Sequence, residues 1–180
     1  MAFPALVCNK SEFTRDVFDV DQIHLMQSVL ILNLEMRLTN YSDYALRLLM
    51  YAAVRHDTSV TIMEVSKAYG ISKNHLMKVA HALALAGFLE TTRGRNGGLR
   101  LAKLAKDINI GQVVRFTEAD SALVECFDPA TNTCVITRAC RLRLVLRQAL
   151  EDFFKRLDRC TLADLVTDQR SVRELLIAKS

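Results

Sequence analysis

The chain has 180 residues, 51% of them hydrophobic, with 24 Lys and Arg against 20 Asp and Glu, which suits one domain with an appendage or two small domains of an ordinary soluble protein. No run of about 18 uncharged apolar residues exists to span a bilayer, so no transmembrane helix is expected. The opening MAFPALVCNK, followed by Asp16, Asp19 and Asp21, lacks the basic start of a signal peptide, and the expected location is the cytoplasm.

The positive charge is unevenly placed. Residues 1 to 61 carry a net −2, residues 62 to 106 a net +6, and residues 107 to 180 balance to zero. One middle segment therefore holds more than the whole excess, the footprint expected of a surface that meets a polyanion; a solvated basic face is the plainer alternative.

Residues 1–35 show no sustained periodicity. QIHLMQSVLILNL suits a short helix or a strand, and the segment is either an upstream extension, with Met36 as the natural start, or a docking arm. From Met36 the pattern is strong. Ser42 reads as an N-cap, and Leu46, Leu49, Met50 and Ala53 recur at helical spacing after it. Thr61-Ile-Met-Glu64 is a capping box that opens a short helix ending at Tyr69 before Gly70. Ile71 and Ser72 then read as a staple residue and an N-cap for a third helix, which runs to about Gly87 with Leu76, Val79, Ala80 and Leu83 on its apolar face. Lys73, Asn74, Lys78 and His81 fall on the other side.

After Gly87 the β-prone Phe-Leu-Glu-Thr-Thr-Arg, the turn Gly94-Arg-Asn-Gly-Gly98 and the strand-like Leu-Arg-Leu-Ala-Lys predict a two-stranded hairpin. Helix, short helix, tight turn, polar-faced helix and basic hairpin, in that order, are the parts of a winged helix-turn-helix that reads double-stranded DNA. Its candidate contacts are Ser72, Lys73, Asn74, His75 and Lys78 from the third helix and Arg93, Arg95, Asn96 and Gly97 from the wing, because amides and cations match base edges and phosphate oxygens. The fold expected is mainly α, a winged helix-turn-helix over residues 36–106 followed by a region, residues 107–180, with a loop and a long C-terminal dimerisation helix.

That second region opens with a short helix capped by Asn109, then a loop from Glu118 to Thr137. A long helix follows, from Arg138 to about Leu157, with one apolar stripe at Leu142, Val145, Ala149, Phe153 and Leu157 and another at Leu146, Leu150 and Phe154. Two stripes ask for two partners: the chain's own body and a second copy, as in a homodimer on a palindromic operator. A helix buried within a monomer is the alternative.

Three of the five cysteines, Cys126, Cys134 and Cys140, cluster with the spacing C-x7-C-x5-C. Thiolates are soft ligands that suit iron–sulfur clusters, zinc or copper(I). A closed zinc site would show paired C-x2-4-C spacing, which is missing, and none of His24, His56, His75 and His81 lies inside the cluster. A metal or iron–sulfur site, a pair of redox-switch thiols and unremarkable cysteines all remain open on spacing alone. Cys8 and Cys160, without ligand-like neighbours, read as small hydrophobes. No Gly-rich nucleotide loop, Cys-x-x-Cys pair or Ser-His-Asp constellation supports an enzyme.

Several stretches carry a resemblance: MRLTNYSDYALRLLMYAA from Met36, the wing RGRNGGLRLA, INIGQVVRFTE, CVITRACRLRLVLRQAL and the late TLADLV. Together they resemble the nitric-oxide-sensing NsrR branch of a bacterial superfamily of winged-helix repressors with iron–sulfur clusters. The resemblance implies a 2Fe-2S or 4Fe-4S cluster held by Cys126, Cys134 and Cys140, with Asp43 of the partner subunit as fourth ligand; Asp43 also suits a helix N-terminus on electrostatic grounds alone. It further implies a repressor that releases DNA when nitric oxide attacks the cluster. A sibling that responds to iron or cluster status is the near alternative, and an iron–sulfur redox or electron-transfer protein the distant one. The missing His just after Cys140 argues against a His-ligated relative.

Overall fold

The computed structural model describes residues 37–55, 57–92, 97–119, 122–167, 172 and 174. The chain divides into two compact units, Met1–Arg37 and Leu38–Ser180. Only Arg37 of the first is described, so the readings made for residues 1–35 lie outside the described residues, as do Arg93, Arg95 and Asn96 of the wing tip.

In the second unit α1 spans Asn40–Val54 and starts two residues before the cap expected from sequence. Thr39 is the N-cap, its hydroxyl accepting the Ser42 N–H at 3.2 Å. Ser42 instead points inward and is fully buried. The helix turns Ala45, Leu48, Leu49 and Ala52 into the core, at the i, i+3, i+4, i+7 spacing of one face, while Leu46 and Met50 lie at its half-buried margin. It packs against four later elements and forms the centre of the unit.

Helix α2 spans Ile62–Tyr69, and its capping box forms as expected: Glu64 donates its N–H to the Thr61 hydroxyl while its carboxylate accepts the Thr61 N–H. Gly70 ends it at φ 68°, a left-handed conformation that favours glycine. Helix α3 spans Lys73–Leu85 and buries Leu76, Val79, Ala80 and Leu83 as predicted; Ser72 stands at its N-cap without a side-chain cap bond. Burying each of these leucines contributes roughly 1.5–3 kcal/mol relative to leaving it in water.

Strands β1 (Leu89–Thr92) and β2 (Gly98–Leu101) pair antiparallel, Leu89 opposite Leu101 and Thr92 opposite Gly98. The wing is tied to the body by Val60, which exchanges two backbone bonds with Leu99 at 2.9 and 2.7 Å. Gly98 permits this approach, since a Cβ there would fall 2.8 Å from the Ser59 Cβ and 2.9 Å from the Val60 carbonyl oxygen.

Helix α4, Ile110–Thr117, is capped by Asn109, whose side chain accepts the Gln112 N–H at 3.0 Å. The loop that follows contains a 3-10 turn at Glu125–Phe127. Helix α5 spans Arg141–Leu157 with Cys140 as N-cap. The short α6, Leu162–Leu165, returns beside the start of α4, with Ile110 N–H bonded to the Cys160 carbonyl and Leu162 N–H to that of Ile108. Among the described residues no helix is long and apolar enough to cross a membrane.

The two stripes of α5 do not divide between two faces as the sequence suggested; the division runs along the length of the helix. Phe153, Phe154 and Leu157 at its C-terminal end pack on the core, so both stripes turn inward there. Its N-terminal half stays outside: Leu142 is 62% and Val145 59% exposed.

Candidate DNA interface and cysteine loop

Helix α3 presents Lys73, Asn74, His75, Lys78 and His81 to solvent, and Ser72 at its cap is exposed with them. Among the described residues of this face there is no acidic side chain to neutralise Lys73 and Lys78. Gly97 is half-buried at the base of β2. Met77 on the same helix, outside the apolar face expected from sequence, is 51% exposed. Set among amides and cations, it adds an apolar group of the sort that meets a thymine methyl.

The N-terminal half of α1 makes two polar or ring contacts with this helix-turn-helix. The Tyr44 ring stacks on His75 in the first turn of α3, centroids 6.0 Å apart and 21° between planes. Asp43, half exposed, accepts from Arg47 Nε at 2.9 Å, and the Arg47 guanidinium lies 5.7 Å from the centre of the Tyr69 ring at the end of α2.

The cysteine loop is built from short side-chain-to-backbone bonds. Asp128 accepts from the Thr131 hydroxyl at 2.7 Å and the Ala130 N–H at 2.9 Å, and these bonds hold its carboxyl below the ordinary value. Glu125 accepts from the hydroxyl and N–H of Thr133, which lower it likewise. Asn132 accepts the Cys134 N–H at 3.1 Å, and the Thr137 hydroxyl donates to the Cys134 carbonyl at 2.7 Å, so Cys134 rides on its own exposed turn. Next to it Val135 is 97% exposed.

Arg143, one turn inside α5, donates from Nε to the Cys126 carbonyl at 3.1 Å. That bond holds the Cys126 backbone against the first turn of the helix that Cys140 caps. Its guanidinium is thereby committed to the loop. Cys126 and Cys140 are half-buried, and neither they nor Cys134 is in a disulfide. Three free thiols on the loop and at the start of the helix that follows it are the soft donors that iron accepts, and they fit such a group in chemistry. Among the described residues no three His, Cys, Asp or Glu side chains converge as a metal-holding group. Cys160 is buried beside α4, as a small hydrophobe would be.

A family model described as Rrf2, iron-dependent transcriptional regulator, matches residues 38–168. The chain belongs to the Rrf2 family. An HTH-type transcriptional regulator NsrR of Geobacillus kaustophilus is 49% identical over 142 residues, 78% of this chain and 97% of that protein. A protein of the same description from Bacillus subtilis is 49% identical over 145 residues, 80% of this chain and 99% of its own length. Rrf2 proteins such as these regulate transcription and are not enzymes. Among solved structures IscR of T. potens aligns with a TM-score of 0.61 at 21% identity, covering 74% of this chain and 88% of that one. CymR, the global cysteine regulator of B. subtilis, aligns at 0.55 with 22% identity, covering 73% and 97%. At those identities the likeness is one of fold, and it is the fold expected from sequence: mainly helical, with a winged helix-turn-helix.

Proposed function

We propose that this Rrf2-family chain is a DNA-binding repressor acting as a homodimer on a palindromic operator. In this reading Cys126, Cys134 and Cys140, with Asp43 of the partner subunit, hold an iron–sulfur cluster that senses nitric oxide. The observation that carries it is the Arg143 bond to the Cys126 carbonyl, which keeps a loop with three free thiols against the N-terminus of α5. The relatives described as NsrR support the choice of signal.

Residues 36–106 supply the DNA reader and residues 107–180 the sensor and dimer surface. Lys73, Asn74, His75 and Lys78 meet base edges and phosphates in the major groove, with Ser72 at the helix start, while Arg93, Arg95, Asn96 and Gly97 carry the wing toward the backbone or minor groove. The exposed Leu142 and Val145 on α5 supply the apolar surface that a second copy covers. When bound, the cluster supplies iron, to which nitric oxide binds. The chain's own contribution is to hold the loop in one arrangement when loaded and to let it relax when ligands are lost. A coupling of about 1–3 kcal/mol between loop and DNA face suffices to change operator occupancy strongly.

Protein purified without oxygen is expected to be coloured and to contain iron, and Cys134→Ala to lose both. Its gel shift on promoter DNA should weaken on adding nitric oxide. Colourless, iron-free wild-type protein after reconstitution overturns the cluster. The family description as iron-dependent favours one second reading, a regulator that responds to iron supply. Retained DNA binding under nitric oxide, lost on iron chelation, selects it.

A further inference from the structure

Ser42 is the one buried polar side chain among the described residues, and besides the Thr39 hydroxyl of its own helix cap it reaches the end of α4. Its hydroxyl donates to Glu118 Oε1 and lies 2.6 Å from Thr117 Oγ1. The same carboxylate oxygen accepts the Thr39 N–H and the Thr39 hydroxyl, both at 2.8 Å. Three donors from the first turn of α1 thus converge on one oxygen of a residue at the C-cap of α4. A carboxylate belongs at a helix N-terminus, where unpaired N–H groups and the positive end of the macrodipole face it; at the C-terminus of its own helix it is out of place. Glu118 resolves this by spanning the two ends.

What lies on either side of this contact gives it a consequence. Glu118 is the C-cap of α4, the end from which the chain leaves for the loop that carries Cys126. Ser42 is followed by Asp43 and Tyr44, which reach Tyr69 of α2 through Arg47 and His75 of α3 by ring stacking. We propose that Glu118 is a positioning residue that locks the entry of the cysteine loop to the first turn of α1, so that a rearrangement of the loop reaches α3 within one subunit. This rests on the reading of the cysteine loop as the sensor. The latch is a contiguous set of hydrogen bonds and packed rings between two ends.

Hydrogen exchange on the cluster-free protein tests the latch apart from any sensing role. Glu118→Gln keeps an acceptor but removes the charge, and is expected to speed amide exchange about tenfold both in residues 39–43 and in residues 122–128, within the usual range of site-to-site coupling. Exchange at Leu76 to Leu83 should stay at the wild-type rate. Faster exchange in residues 39–43 alone, or an equal rise at Leu76 to Leu83, overturns the proposal. Ser42→Ala removes one donor and leaves the carboxylate, so it should give the same pattern at smaller amplitude even if the Glu118 variant folds poorly. In the iron-loaded protein, with a duplex selected by the wild type from a randomised pool, Glu118→Gln should keep the wild-type iron content. The ratio of loaded to cluster-free DNA affinity should fall about tenfold, and an unchanged ratio overturns the latch as a transmission element. Wild-type protein without iron or DNA binding would instead sink the proposed function, and the exchange experiment would still decide whether the latch exists.

Discussion

Arg115 forks onto Asp158, with Nη1–Oδ1 at 2.5 Å and Nη2–Oδ2 at 2.7 Å, and so fastens α4 to the end of α5. The guanidinium also lies 4.4 Å from the centre of the Phe154 ring, which sets the pair against an apolar wall. Gly111, one turn earlier on α4, leaves room for it: a Cβ there would fall on the Asp158 carboxylate.

This fork has a pH signature. The Arg115 hydrogen bonds hold the Asp158 carboxyl below its ordinary 3.8. A lowered folded-state value means that the folded protein binds fewer protons than the unfolded chain, so the contribution is complete well above pH 3.8 and is lost as pH falls through that region. Both partners are exposed, and salt should weaken the pair. Thermal melts between pH 6 and pH 3 are expected to fall less steeply for Asp158→Asn than for wild type, and parallel curves would count against the fork. Gly111→Ala should reproduce the Asp158→Asn curve by pushing the carboxylate aside.

The capping box at α2 gives a second prediction. Burial pushes the Glu64 carboxyl up, but the bonds from Thr61 and the charge of Arg55 outweigh it and leave the group lowered. Thr61→Ala removes the hydroxyl that accepts the Glu64 N–H, at a cost of about 1 kcal/mol, the usual worth of such a cap. The melting temperature should fall by roughly 4 °C for a domain of this size. A fall below about 1 °C would mean that packing of Val65 and Ala68 alone holds α2 in place.

What the sequence disclosed and what it withheld follow from the range of the interactions. The Thr61 box, the Gly70 stop, the Asn109 cap and the apolar face of α3 are written within four residues of each other, and each was read where it stands. The start of α1 was misplaced at Ser42 because a serine before an apolar run is also a capping signal. Only Glu118, some 75 residues away, shows that Ser42 is needed inside. Likewise the Arg143 bond to Cys126 spans 17 residues and uses a backbone carbonyl, which has no sequence signature. The residue types of the cysteine loop were legible; the bonds that orient it were not.

Arg143 yields a third prediction, tied to the proposed cluster. Arg143→Ala leaves all three thiols in place but frees the Cys126 backbone from α5. Iron should still be taken up on reconstitution, yet be lost to a chelator about ten to a hundred times faster, the usual penalty for removing a group that orients a ligand. Arg143→Lys should restore part of the retention through a single charged donor. Chelator loss at the wild-type rate in Arg143→Ala would show that the loop orders itself without this bond.

The DNA face gives the last. Lys78 and Lys73 lie on the exposed side of α3 with no acidic neighbour on that face among the described residues, so each is free to displace a counterion from a phosphate. If Lys78 meets a phosphate, Lys78→Ala should weaken binding about equally on every duplex and reduce the slope of log affinity against log salt by about one. Asn74→Ala should instead relax discrimination at one base pair, at about 1–3 kcal/mol, and leave the slope unchanged. Fluorescence anisotropy on one preferred and one scrambled duplex, over a series of salt concentrations, separates the two. If the two variants exchanged these signatures, α3 would sit in the groove turned about its axis from the orientation that its buried face imposes.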